Sequence, residues 1–94
     1  MDKIAYYEAV YSILVRFAGA RESSMRQDFV FHHARSTVPC TEFRFIGSLG
    51  HGGKYRSRTN TVDCYTEDEN PERLRMIEET NQALANLKEQ CEKP

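Results

Sequence analysis

The chain reads as an α+β domain: an N-terminal helix, a short second helix, a three-stranded antiparallel meander, and a C-terminal helix packed on the sheet. Three patterns give that order. Polar residues recur every four positions through residues 3–18, apolar and polar residues alternate through 41–65, and a capped amphipathic run begins at Asn70. The 94 residues suit a single domain over 1–94, with one core.

In "KIAYYEAVYSILVRFA" the residues Glu8, Ser12 and Arg16 mark one narrow wet stripe, and nearly everything else is apolar or aromatic. Such a helix has to be covered over most of its circumference. Gly19 is its expected stop. Tyr6, Tyr7 and Tyr11 spread over more than one face, which fits a helix half in the core and half in an interface, a homodimer included. Segment 22–40 admits two readings. Ser23 or Ser24 can cap a short helix through "MRQDFVFHHAR", with Met25, Phe29 and His33 or His32 along one side. The alternation at 28–31 also fits a strand; the helix is preferred. Pro39 closes the segment.

From Thr41 the period becomes two. "TEFRFIG" puts Phe43 and Phe45 on one face, with Glu42, Arg44 and Ile46 on the other. "KYRSR" places Lys54, Arg56 and Arg58 together, opposite Tyr55. Thr59-Asn60 turns the chain, and "TVDCY" sets Val62 and Cys64 against Thr61, Asp63 and Tyr65. In the last helix Asn70 caps, Pro71 takes the first position and Glu72 favours the positive end, with Glu67, Asp68 and Glu69 upstream. Leu74, Met76, Ile77, Ala83, Leu84 and Leu87 are its expected buried stripe, interrupted by Thr80 and Asn81, and it should end near Gln90.

Composition narrows the function. With 39% hydrophobic residues and a formal net charge of −1, the chain resembles an ordinary soluble domain and lacks the strong basicity of a general nucleic-acid coat protein. The N-terminal apolar stretch is interrupted by charges, so neither a signal peptide nor a membrane span is expected. Cys40, Cys64 and Cys91 are odd in number and far apart, which suits a reduced, cytosolic protein with Cys64 as a small core residue. Charge is uneven: residues 36–65 carry a net of +2 and residues 66–94 a net of −4.

Four of the five glycines fall between Gly47 and Gly53, immediately before Lys54. A phosphate-cradling loop would need a glycine where Ser48 stands, Ser or Thr where Tyr55 stands, and a helix after the loop. A dinucleotide fingerprint would need a βαβ unit. Neither condition holds, and the loop reads as a hairpin connection with a backbone approach close enough to require glycine. His32 and His33 diverge by about 100° on a helix and with Cys40 form a poor zinc set, so both are expected at the surface or an interface. No nucleophile, base and orienter stand in order, so no catalytic residue, cofactor or metal is expected. What remains is the cationic row Lys54, Arg56 and Arg58, with Arg44 beside it and His51 at the loop tip. It suits an acidic protein surface or nucleic-acid phosphates; otherwise it is a solvated face balanced by Glu42 and Asp63.

Glu42-Phe43-Arg44-Phe45, Gly47-Ser48-Leu49-Gly50, Gly52-Gly53-Lys54, Val62, Cys64-Tyr65, Glu67-Asp68, Pro71-Glu72-Arg73 and Ile77 together resemble a family of small phage, prophage and mobile-element proteins with no activity attached to them. The pattern reads E-F-R-F-x-G-x-L-G-x-G-G-K, then V-x-C-Y-x-E-D-x-x-P-E-R, and covers about residues 41–87. His51 departs from the aromatic residue that the family's loop would carry. The resemblance implies a non-catalytic protein that binds a host protein or ribonucleoprotein in the bacterial cytoplasm. Inhibition of a defence complex, as anti-CRISPR proteins achieve it, is the expected outcome. The rival expectation is a nucleic-acid module using the same strand.

Overall fold

Helix α1 (Lys3–Ala18) opens the fold, in a computed structural model that describes residues 1–20, 24–38, 40–46, 52–64 and 70–92. The Asp2 carboxylate accepts from the Ala5 N–H at 2.7 Å and caps the start. Gly19, at φ 67°, ends the helix in the left-handed conformation that glycine adopts without a Cβ penalty. Glu8, Ser12 and Arg16 form its exposed stripe, while Val10, Tyr11 and Leu14 are buried.

Segment 24–35 is helical, not extended. It begins as α2 (Ser24–Val30) and widens into a π-helical turn (Phe31–Arg35), in which the Ser36 N–H reaches the Phe31 carbonyl at 2.7 Å. Strands β1 (Glu42–Ile46), β2 (Gly52–Arg56) and β3 (Thr61–Cys64) form the antiparallel meander in the order β1-β2-β3. Phe43 stands opposite Tyr55, Phe45 opposite Gly53, and Tyr55 opposite Val62 on the inner face. Gly53 carries no side chain because the Phe45 ring takes the space: a Cβ there would lie 2.5 Å from the ring's Cζ. Helix α3 (Pro71–Glu92) starts where Asn70 accepts from the Glu72 N–H at 3.0 Å.

One core joins these elements. Val10, Tyr11 and Leu14 of α1, Phe29 and Val30 of α2, Phe45, Tyr55 and Val62 of the sheet, and Leu84 of α3 are its buried apolar members, together with Ala20. Phe29 is the hub: its ring packs against Tyr7, Tyr11, His33, Phe43 and Tyr55 at centroid distances from 4.6 to 6.0 Å. The covering of α1 is thus internal, by α2, the π turn and α3.

Three expected placements are corrected. Leu74 is 49% exposed, because it lies roughly 100° around α3 from the line through Arg73, Ile77, Thr80, Leu84 and Leu87 that faces the core. His33 is buried where a surface position was expected, since four residues after Phe29 is the same helical face; His32 points out. Thr80, read as an interruption of the stripe, is fully buried, and its hydroxyl is satisfied by the Met76 carbonyl at 2.6 Å.

Asn60 locks the three layers together. It sits in the turn between β2 and β3 at φ 56° and is buried. Its Oδ1 accepts from the Tyr55 hydroxyl at 2.9 Å and the Tyr6 hydroxyl at 3.4 Å, while its Nδ2 donates to the Leu84 carbonyl at 3.1 Å. Asn60→Gly keeps the left-handed backbone accessible but leaves the buried Tyr55 hydroxyl without its partner. Its expected cost is about 2 kcal/mol, read from chemical-denaturation midpoints at unchanged slope. A loss within about 0.5 kcal/mol would show that the network contributes little net stability.

Candidate interaction face

Because side chains alternate across a strand, the residues left on the sheet's outer face are Glu42, Arg44 and Ile46 on β1, Lys54 and Arg56 on β2, and Thr61 and Asp63 on β3. Register brings the cations together. Arg44 stands opposite Lys54, Lys54 opposite Asp63, and Glu42 opposite Arg56. Glu42 is the organiser, taking Arg44 Nε at 3.2 Å on one oxygen and Arg56 Nε at 3.6 Å on the other. The Arg44 hydrogen bond, with Lys54 and Arg56 nearby, holds the Glu42 carboxyl below the usual carboxylate range. The charged carboxylate is thus favoured over its protonated form, and it draws both guanidinium groups onto the exposed face.

The sequence grouped Lys54, Arg56 and Arg58 on one strand. The strand ends at Arg56, so Arg58 lies in the β2–β3 turn, exposed at the end of the sheet. That correction follows from Asn60: seating its side chain in the core needs the whole of 57–60 as turn. His51 and the tip of the glycine loop lie outside the described residues, as do Tyr65 and the acidic run 67–69. Of the three tyrosines expected at an interface, Tyr11 has no exposed surface. Tyr6 and Tyr7 are half-buried and turned onto the core, where Tyr7 stacks on His33 with ring planes at 26° and centroids 5.2 Å apart. Burial raises the phenols of Tyr6, Tyr7 and Tyr55 above their ordinary value, so all three remain protonated hydroxyls at neutral pH.

Among the described residues no three His, Cys, Asp or Glu side chains converge for a metal ion, and no helix is long and apolar enough to cross a membrane. The apolar cleft beside Phe45, Gly53, Val62, Cys64 and Ile77 has a volume of about 40 Å³, room for a water or two, while open grooves of about 530 Å³ beside Glu8, Arg26, Val30 and Phe31 and of about 460 Å³ beside Asp2, Tyr6, Asn60 and Lys88 lie away from the sheet's outer face.

Two functional features escaped the sequence. Glu42 looked like a counter-charge, yet it is the clamp of the cationic row; its spacing of two from Arg44 on one strand face was the available signal. Asn81 looked like a flaw in the apolar stripe of α3. Its side chain caps the free edge of β3, accepting from the Val62 N–H at 2.6 Å and donating to the Val62 carbonyl at 3.0 Å. A polar pair in the middle of an apolar stripe was the signal for a buried partner.

Comparison with known proteins gives no match to any protein-family model, curated protein or solved structure.

Proposed function

We propose that this chain is a non-catalytic binding protein that docks the outer face of its sheet onto an acidic surface of a protein or ribonucleoprotein complex. The observation that carries the reading is the one-sided row of Arg44, Lys54 and Arg56, held in register and fixed by Glu42. Arg58 extends the row at the turn. Ile46, 48% exposed on the same face, adds the apolar contact that a protein partner can bury. The sheet's described aromatics, Phe43, Phe45 and Tyr55, all face inward, so this face offers no stacking platform for single-stranded bases. In the phage or mobile-element setting that the E-F-R-F and glycine-loop motifs resemble, the partner is a bacterial defence complex in the host cytoplasm, blocked by occupation of its surface.

Capture from nuclease-treated bacterial lysate tests this, with wild type beside Lys54→Glu/Arg56→Glu. Both side chains project from the sheet, so the variant is expected to keep its thermal midpoint within a few degrees. One complex held stoichiometrically by the wild type and at least about tenfold less by the variant is the expected result. No captured protein, with RNA or DNA recovered only when nuclease is omitted and its affinity falling steeply in salt, would replace this reading with a nucleic-acid module.

A further inference from the structure

We propose that the groove between α1 and the α2–π segment is a dimer interface, in which a second copy of this chain docks by its own groove about a two-fold axis running along it. The groove is open and has a volume of about 530 Å³, far more than a packing defect leaves between helices. Glu8 lines it from α1, and Arg26, Gln27, Val30, Phe31 and Arg35 line it from α2 and the π turn. It lies on the helical side of the molecule, so the sheet's outer face takes no part in it.

The π turn shapes this groove. From Arg26 to Arg35 an uninterrupted α-helix would make about two and a half turns and carry Arg35 to the opposite side. The wider turn at Phe31–Arg35 rotates the chain less per residue, and Arg35 comes round to the wall that holds Gln27 and Phe31. Phe31 is the one phenyl or phenol ring among the described residues that is left exposed, at 53%, while Val30 beside it is buried as an apolar floor. Glu8, Arg26 and Arg35 are exposed too, and none of them forms an ion pair among the described residues. An apolar centre flanked by exposed charges of both signs has the make-up of an interface core and its polar rim.

Charge chooses both the occupant and the axis. The two walls carry opposite signs, the Glu8 carboxylate on α1 and the Arg26 and Arg35 guanidinium groups on the other side. A two-fold axis along the groove lays α1 of each copy over α2 of the other, so each Glu8 meets the second copy's arginine wall. An axis across the groove would set arginine wall against arginine wall, a like-charge contact that weakens binding. An acidic peptide would satisfy the arginines but meet Glu8 head on, whereas a second copy satisfies both walls. The two Phe31 rings leave water at the centre, and the ion pairs close around them. The interface expected on α1 thus falls on its wet stripe, at Glu8, and not on Tyr6, Tyr7 and Tyr11, which turn to the core. Phe29 holds α2 against the inner side of the sheet, so the dimer leaves both outer faces uninvolved. The contact is small, so the dimer forms reversibly and only at high protein concentration.

Sedimentation of the whole chain over a concentration series tests the pairing without reference to any other partner. Wild type is expected to pass from monomer to dimer. Glu8→Arg makes both walls positive and Arg26→Glu/Arg35→Glu makes both negative, so each variant alone raises the dissociation constant about tenfold or more. An equimolar mixture of the two variants restores opposite charges on both sides of the axis. It is expected to associate within a few-fold of wild type, which separates pairing from any loss of folding in one variant. A chain that stays monomeric throughout, a dimer indifferent to both variants, or a mixture no better than its components would overturn the proposal.

Discussion

Phe29→Ala is expected to cost about 3–5 kcal/mol and to lower the denaturation midpoint sharply. Phe29 is fully buried, and its ring meets five others drawn from α1, the π turn, β1 and β2. Removing it loses the transfer free energy of a phenyl group and leaves a cavity walled by Tyr7, Tyr11, His33, Phe43 and Tyr55. Those rings cannot collapse into the space without giving up their edge-to-face contacts with each other's neighbours. A domain of 94 residues has a total stability of about 5–14 kcal/mol, so one such loss consumes much of it. Phe29→Leu fills most of the volume and should cost about half as much. Denaturant titration of the three proteins gives the comparison. Equal midpoints for wild type and Phe29→Ala would mean that the hub does not carry the core.

The identity of that hub shows what a sequence of this kind discloses. The position of Phe29 on an apolar face with His33 was readable from the spacing of four. Its centrality was not, because it depends on where β1 and β2 cross α2, and nothing local encodes that crossing. The meander, by contrast, was legible almost residue by residue, since the period of two sets Phe43 and Phe45, Tyr55 and Val62 apart from their polar neighbours on each strand. So were the ends of α1 and α3, where Gly19 and Asn70 act through backbone chemistry alone. Three polar residues defeated the pattern. Thr80, Asn60 and Asn81 are buried or edge-capping because each satisfies its hydrogen bonds inside the fold, and a hydropathy pattern cannot see satisfaction. The candidate face was half legible. Alternation grouped Lys54 and Arg56 opposite Tyr55, but the exposure of that face, the place of Arg44 beside it, the strand's end before Arg58 and the bridging role of Glu42 needed the register.

Acidification should destabilise the protein through His33, beginning near pH 6.5. The imidazole is 4% exposed, enclosed by Tyr7, Phe29, Phe43 and Tyr55, and its Nε2 has no hydrogen-bond partner among the described residues. Burial, with repulsion from His32 and Lys3, pulls its pKa down to about 4. The folded state therefore holds the neutral ring at a pH where the unfolded chain, titrating near 6.5, has already taken up a proton. Above that value the two states bind the same number of protons and His33 contributes no pH dependence. Between pH 6.5 and 4 the unfolded chain binds more, so stability falls as pH falls, by about 3 kcal/mol across the window. Below about pH 4 the folded state protonates too, and this contribution to the slope ends. Glu42 acts lower down: its depressed carboxyl stabilises the fold above the ordinary carboxylate range and loses that effect only as it protonates in stronger acid. His33→Phe keeps a ring in the same cage and removes the titration. Subtracting its stability curve from that of wild type, point by point in pH, isolates the histidine from every carboxylate. The difference should be flat above pH 6.5 and fall toward pH 4. Parallel curves through that window would show that His33 is protonated inside the fold. Because Phe43 and Tyr55 rest on this ring from the inner side of the sheet, the same acid window should weaken the seating of the strands that display Arg44, Lys54 and Arg56.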